Sequence, residues 1–307
     1  MNKKHSLTLL ALAFTMCLSA QSLFVGTYNV RNQNDGDQRE GNGWPQRVSV
    51  ICDLINFEQP DIFGTQEAKV GQIHDMLNGL DAYDYIGVAR EDGKEDGEYS
   101  AIFYKKDYLQ VLDHGDFWLS ETPDKPGLGW DAACVRICTW GKFRDKRTKL
   151  KFYYFNLHMD HVGVVARREG AKLVVKKIQE LTDGKTPVIL TGDFNVDQRD
   201  EIYTIFTNSG HLNDSYVVAK QRFCENGTFN AFKPDLKTES RIDHIFLSPK
   251  FEVNHYGVLT DCYWTKKGTP EELQGRDAPK EIRFQRYERR LPSDHYLVLA
   301  KINYKKK

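Results

Sequence analysis

The chain is 307 residues long, with 40% hydrophobic and 28% charged residues, enough for one large domain with a substantial core or two small ones. Lys plus Arg and Asp plus Glu each number 43, so the formal net charge is zero. That balance argues against long duplex nucleic acid as the partner, which strongly basic chains bind, and leaves room only for a local basic groove.

Met1 to Ala20 reads as a targeting segment. Lys3 and Lys4 make a positive start, Leu7 to Leu18 is mostly apolar and too short to span a bilayer with ease, and Ser19-Ala20 supplies small residues before Gln21. The expectation is a signal peptide over 1–20, cut at Ala20/Gln21, with export to the periplasm or medium. Lipidation of Cys17 is the rival, disfavoured by the bulky Phe14-Thr15-Met16 before it. N-terminal sequencing of exported protein distinguishes them: a start at Gln21 supports cleavage, an intact Met1 or a lipid on Cys17 contradicts it. No later apolar run is long enough for a membrane helix, so stable membrane insertion is not expected. Cleavage leaves Cys52, Cys134, Cys138, Cys224 and Cys262, an odd number without Cys-x-x-Cys spacing. Buried free thiols are expected, with a single disulfide as the alternative in an oxidising compartment.

Ser22 to Val30 looks like the first strand of the mature chain and ends in Asn29 and Arg31. Trp44 to Phe57 has helical periodicity, with Pro45 in its first turn. Pro60 to Glu67 is a second strand, a helix follows near Val70 to Leu80, and Tyr83 to Val88 is a third strand. The acidic, glycine-rich run Glu91 to Glu98 reads as a solvated turn. Tyr99 to Tyr104 and Leu109 to Trp118 are strands, and Ser120 to Trp130, with two prolines and two glycines, is a long loop. Cys134 to Phe143 and Leu150 to Leu157 form a hairpin across a basic turn; Cys134 and Cys138 should then share a strand face. Val164 to Leu181 is a helix closed by Thr182-Asp183-Gly184.

Pro187 to Asn195 is the most informative stretch. Its β-branched run reads as a buried strand, and Gly192 lets the backbone turn where α/β proteins place their sites, presenting Asp193 and Asn195. Asp200 to Thr207 is a short helix, and 212–214 and 227–230 are irregular. Arg241 to Leu247, Phe251 to Leu259 and Tyr296 to Ile302 are strands, with a charged loop from Lys266 to Arg290. No repeat or linker divides the chain, so one domain over 21–307 is expected. Strands outnumber helices and hairpins mix with strand–helix–strand units. Two face-to-face sheets with helices outside would bury this many strands.

Six polar clusters each adjoin an apolar strand: Asn29, Glu67, His158 with Asp160, Asp193 with Asn195, Asp243, and Asp294 with His295. Thr27-Tyr28-Asn29-Val30-Arg31, Gln66-Glu67, Asn156-Leu157-His158, Gly192-Asp193-Phe194-Asn195, Arg241-Ile242-Asp243-His244 and Ser293-Asp294-His295 stand in the order of the endonuclease/exonuclease/phosphatase superfamily, which the chain resembles over nearly its whole mature length. Phe117 to Ser120, Trp130-Asp131 and Arg136 resemble an uncharacterised exported bacterial branch. The resemblance implies a four-layer α/β/β/α sandwich of two mixed β-sheets with outer helices, and a phosphate ester hydrolase, most often a nuclease or other phosphodiesterase.

Phosphate ester hydrolysis suits these residue types. A hard cation offsets phosphoryl charge, and magnesium, with manganese as a substitute, prefers oxygen ligands. Glu67 is the principal candidate, with Asn29 close by, as the resemblance also implies, and Asp294 is a further metal contact. Asp193 suits deprotonation of water, and Asn195 can donate to a phosphoryl oxygen. His295 can hold non-bridging oxygens or share the base role, with Asp243 fixing its tautomer. His158 can donate to phosphate or protonate a leaving oxygen. Tyr104 resembles the family tyrosine that reaches the phosphate. Arg136, Arg31, Lys105 and Lys106 can hold a short single strand or a small phosphorylated molecule, and Trp118 and Trp130 either stack on substrate or pack in a loop. Asp160 and His161 depart from better-known branches and are either substrate-facing or structural. An inositol phosphate or a phospholipid headgroup is the alternative substrate class, although no amphipathic docking helix supports the lipid. A non-catalytic binding module is the remote alternative. A monomer is expected.

Overall fold

Period-two alternation of large apolar residues sets the layers. The structure, a computed structural model, describes residues 22–268, 272–273, 277 and 279–305; the expected targeting segment lies outside them. In β1 (Ser22–Asn29), Leu23 and Val25 point into one apolar cluster and Phe24 and Tyr28 into another. β7 (Lys151–His158) divides likewise: Phe152 and Tyr154 face one way, Tyr153, Phe155 and Leu157 the other. Strands buried on both faces read as continuous apolar runs, which is why these segments were legible.

Thirteen strands make the two main sheets. The first has seven, in the order β10 (Gln221–Phe223), β12 (Phe251–Leu259), β17 (Leu297–Tyr304), β1, β2 (Ile62–Gln66), β4 (Ile102–Lys105) and β3 (Tyr83–Ile86). The second has six, in the order β5 (Leu109–Trp118), β6 (Ile137–Asp145), β7, β8 (Val188–Asp193), β11 (Asp243–Leu247) and β9 (Asn213–Asp214). One cluster, including Val25, Ile62, Phe143, Tyr154 and Ile245, fills the space between the sheets. Helices Trp44–Glu58 and Val70–Gly79 cover the outer face of the first sheet, and helices Val164–Leu181 and Glu201–Thr207 that of the second. The result is the expected α/β/β/α sandwich.

The differences are local. The segment expected as a loop between Lys266 and Arg290 carries two short ladders, β13 (Tyr263–Lys266) with β16 (Tyr287–Arg290) and β14 (Glu272–Leu273) with β15 (Phe284–Gln285). Such short charged strands carry no apolar period. β9, β10 and helix Ser215–Val218 are likewise too short to show one. Cys134 lies before β6 in irregular chain, so it does not share a strand face with Cys138, and all five described cysteines are free.

Between the dry core and the functional edge lies a polar belt. Asn156 of β7 donates to the backbone oxygens of Thr65 (2.8 Å) and Ala101 (3.0 Å) in the opposite sheet. Its Oδ1 accepts from Gln66 Nε2 (2.7 Å) and Thr191 Oγ1 (3.1 Å). The fully buried carboxamide therefore uses all four of its hydrogen-bonding positions. Gly64 makes room for it: a Cβ there would stand 2.1 Å from Asn156 Oδ1. Asn156→Ala leaves several buried groups unpaired, so it should cost about 3 kcal/mol of stability, read from a urea midpoint. A loss under about 1 kcal/mol would contradict this cross-sheet role.

Candidate active site

The strand parity that builds the core also builds the site. β1 runs parallel to β2 and β7 parallel to β8, so both pairs end at the same edge of the sandwich. The face of β1 that buries Val25 continues through Thr27 to Asn29, and that of β7 through Tyr154 and Asn156 to His158. On β8 it runs from Ile189 through Thr191 to Asp193. β11 is antiparallel, so its first residue, Asp243, lies beside Asp193, and His295 precedes antiparallel β17. Five of the six clusters thus share one edge by alternation alone, and Glu67 joins them directly after β2.

Asn29 ties the parts together. Its Nδ2 donates to Glu67 Oε1 (2.9 Å) and Asp193 Oδ2 (3.0 Å) and stands 3.4 Å from His295 Nε2, while its Oδ1 accepts the Arg31 N–H at 3.0 Å. Glu67 Oε2 accepts from Asn32 N and Nδ2, both at 3.1 Å. His295 Nδ1 lies 2.8 Å from Asp243 Oδ2, and its Nε2 3.6 Å from Asp193 Oδ2. Asn195 Nδ2 donates to the Met159 carbonyl (2.9 Å) and faces His158 Nε2 at 3.2 Å. Arg31, Glu67 and Asn195 have φ of 58°, 68° and 49°. Left-handed backbone at non-glycine residues costs about 1–3 kcal/mol each and clusters at functional sites.

The cavity at this edge is about 350 Å³; Asn29 and Asp243 lie behind its wall, and it also receives Asn32, Arg90, Glu98, Cys134, Arg136, His161, Phe229 and Ile242. Burial pushes Asp193 up to about 7, with repulsion from Asp243 adding, against attraction from His295 and bonds from Asn195 and Asn29. Burial alone would push His295 down, but Asp243 and Asp193 overcome it and hold the imidazole well above its ordinary range, as a cation. Burial, reinforced by Arg136 and Arg90, holds His158 well below its range, so it is neutral. Its Nε2 faces the cavity side beside Asn195 Nδ2, and its buried Nδ1 has no partner among the described residues.

The donor set fits a hard divalent cation. Four carboxylates, Glu67, Asp193, Asp243 and Asp294, converge around two cationic groups, Arg31 and His295. Arg31 Nη1 stands 3.9 Å from Glu67 Oε2 and 3.5 Å from Asp294 Oδ2. Burial raises Asp294 too, against His295, with Glu67 adding. Ligand atoms of Glu67, His158 and Asp193 lie within 4.8 Å of one another. Oxygen-rich, under-compensated negative charge suits magnesium or manganese.

Tyr104 is not brought to this edge. β4 runs antiparallel to β2, which puts Tyr104 opposite Ile62, at the far end of the sheet; its hydroxyl reaches Asp84 at 3.3 Å and its ring packs on Phe143. Lys105 shares that end and donates to the Gln59 carbonyl. Trp118 is buried with its Nε1 on the Arg90 carbonyl, and neither it nor Trp130 lines the cavity. Asp160 is structural: its carboxylate accepts from the N–H groups of Val162, Gly163, Ala133 and Cys134 and lies 3.4 Å from Arg136 Nε. His161 faces the cavity, its Nδ1 3.0 Å from Arg136 Nη2. Arg90 and Glu98 were missed because the run between them is a solvated turn; only its two ends fold back to pair at the cavity. Nothing in the spacing of Asn32, Phe229 or Ile242 marks them.

A family model described as the endonuclease/exonuclease/phosphatase family matches residues 26–295. The chain is similar to a solved protein of that family from Bacteroides thetaiotaomicron, at 49% identity and a TM-score of 0.86, covering 94% of this chain and all of that one. A mannosyl-6-phosphatase from the same organism is 50% identical at a TM-score of 0.85, over 92% of this chain and all of its own. An uncharacterised protein of Acanthamoeba polyphaga mimivirus is 28% identical over 233 residues, 69% of this chain and 83% of its own length.

Proposed function

Because the chain belongs to the endonuclease/exonuclease/phosphatase family and is a phosphoester hydrolase, we propose that it is an exported, magnesium-dependent phosphomonoesterase acting on a phosphorylated sugar. The observation that carries this reading is the arrangement of the cavity. Arg31, Arg90 and Arg136 surround the buried Asp193–His295 pair in a cavity of only about 350 Å³. Arg31 and Arg136 suit a terminal phosphate dianion, and a small cavity suits a compact substrate better than a continuous strand. Likeness to a mannosyl-6-phosphatase at 50% identity supports the sugar, and the charged, apolar and small-residue pattern of the first twenty residues supports export. Phe229, 40% exposed and edge-on to His295 at 5.0 Å, keeps open a second reading, a short single-stranded phosphodiester stacked on that ring.

Glu67, with Asp294 and Asn29 beside it, would hold the cation, which supplies charge stabilisation for phosphoryl oxygens. Asn29 has its Oδ1 on the Arg31 N–H, so it serves first as the brace between Glu67 and Asp193. Asp193 takes the proton of the attacking water. Its raised affinity for protons makes it a better base at neutral pH than an ordinary carboxylate. The His295 imidazolium, oriented by Asp243, holds a non-bridging oxygen, and Asn195 and neutral His158 donate to the phosphate or to the departing oxygen. Arg136, held by Asp160, contacts the phosphate or the sugar.

The test compares mannose 6-phosphate, bis-p-nitrophenyl phosphate and a short oligonucleotide at several magnesium concentrations. The monoester should be turned over fastest; faster cleavage of the oligonucleotide would replace this reading by the second. Glu67→Gln should lose activity chiefly through weaker magnesium affinity and regain part of it as magnesium rises. Asp243→Asn should lose roughly two to four orders of magnitude, the upper end being the loss of about 10⁴ seen when the orienting carboxylate of a serine protease triad is changed, with no rescue by metal. Rescue of Asp243→Asn but not of Glu67→Gln would show the two roles wrongly assigned.

A further inference from the structure

One carboxylate in the cavity has no part in the chemistry above. Glu98 lines it beside Arg90 and Arg136, with 14% of its side chain exposed. Its Oε1 accepts from Asn32 Nδ2 at 3.0 Å, and its Oε2 pairs with Arg90 Nη1 at 2.5 Å. Burial raises its affinity for protons and Glu67 adds to this, while Arg90 and Arg136 oppose. Its charge cancels that of Arg90, so the pair adds no net attraction for the anion the cavity must admit. Its presence calls for a different recognition task.

Hydroxyl groups are what such a carboxylate fits. An ionised carboxylate accepts about four hydrogen bonds. Asn32 and Arg90 each take one position, which leaves capacity on both oxygens. Arg90 is fixed alongside: its backbone N–H donates to the Glu98 carbonyl, and its own carbonyl accepts from Trp118 Nε1. A carboxylate that accepts and a guanidinium that donates, side by side, match two neighbouring hydroxyls of a sugar ring. We propose that Glu98, with Arg90, clamps the hydroxyls of the sugar whose phosphate is removed, and so selects polyol phosphates over aryl or alkyl phosphates.

This rests on the sugar-phosphate reading and deepens it. A rival role is also visible. Asn32 Nδ2 reaches both Glu98 and Glu67 Oε2, so Glu98 can act by holding Asn32 against the metal-site carboxylate. The two roles separate by substrate. A relay to Glu67 affects every phosphate ester alike and moves the magnesium requirement; a hydroxyl clamp affects only substrates that carry the hydroxyls.

The experiment titrates the chain with magnesium up to saturation, and compares mannose 6-phosphate with phenyl phosphate. Glu98→Gln keeps the shape but removes the charge and half of the acceptor capacity. Sites built around a substrate hydroxyl lose large factors when that bond is lost, so kcat/KM for mannose 6-phosphate should fall about 100-fold, chiefly in KM. Phenyl phosphate should lose less than about threefold, with an unaltered magnesium midpoint, and Glu98→Asp should recover part of the sugar activity. An equal loss on both substrates, or a shifted magnesium midpoint, overturns the clamp in favour of the relay. Should the variants fail to fold, wild type can be assayed with mannose 6-phosphate lacking one ring hydroxyl at a time. A loss of about 100-fold at one or two adjacent positions supports the clamp, and indifference at every position overturns it. Wild-type protein inert on mannose 6-phosphate but active on phenyl phosphate or an oligonucleotide would remove the sugar-phosphate reading itself, and the clamp with it.

Discussion

The site depends on one carboxamide that belongs to both sheets at once. Asn29 Nδ2 holds Glu67, which follows β2 of the first sheet, and Asp193, the last residue of β8 of the second. Two carboxylates brought this close repel each other, and a shared N–H donor between them lowers that cost. Asn29 is completely buried, so both contacts are made without competing water. One step deeper, Asn156 does the same for the backbone, joining β7 to the carbonyls of Thr65 and Ala101. Removing the outer brace would leave the sheets joined but misplace the proposed metal ligand against the proposed base; removing the inner one would loosen the edge on which both stand.

The electrostatics follow from this convergence. Burial makes every charge at the edge expensive unless partnered. Asp243 is partnered by the His295 cation, and Asp294 and Glu67 share Arg31. Asp193 has hydrogen bonds from Asn29 and Asn195 and shares His295 with Asp243, yet burial and Asp243 still raise its affinity for protons toward the neutral range. A group in that state can exchange a proton with water at neutral pH, which is what a hydrolytic base has to do. The anionic surplus at the edge invites a divalent cation, and the guanidinium groups around the mouth invite the phosphate. The cation and the anion are each drawn to a different part of one small cavity.

Much of this was legible because strand parity links core to site. Val25 and Asn29, Tyr154 and His158, Ile189 and Asp193 lie on the same faces of their strands, so apolar runs that predicted buried strands also predicted where their polar ends point. Tyr104 shows the limit. Its motif position was plausible, but the direction of β4 in the sheet decides which edge it reaches, and direction is a property of pairing that period-two alternation does not encode. Arg90 and Glu98 mark a second limit. They flank an acidic glycine-rich turn, and the bridges of Tyr99 to Ala68 and Ala89, with the Arg90 N–H on the Glu98 carbonyl, fold that turn back onto the cavity. Asp160 marks a third, because a carboxylate between two histidines reads equally as substrate-facing or structural until four backbone N–H groups are seen to occupy it.

The claim at the centre of this account is that water, activated at Asp193, attacks phosphorus directly. Turnover of mannose 6-phosphate in ¹⁸O-labelled water tests it in one measurement. Attack at phosphorus places the label in the inorganic phosphate and leaves the sugar hydroxyl unlabelled. Label in the sugar, which requires cleavage of the carbon–oxygen bond, would contradict it.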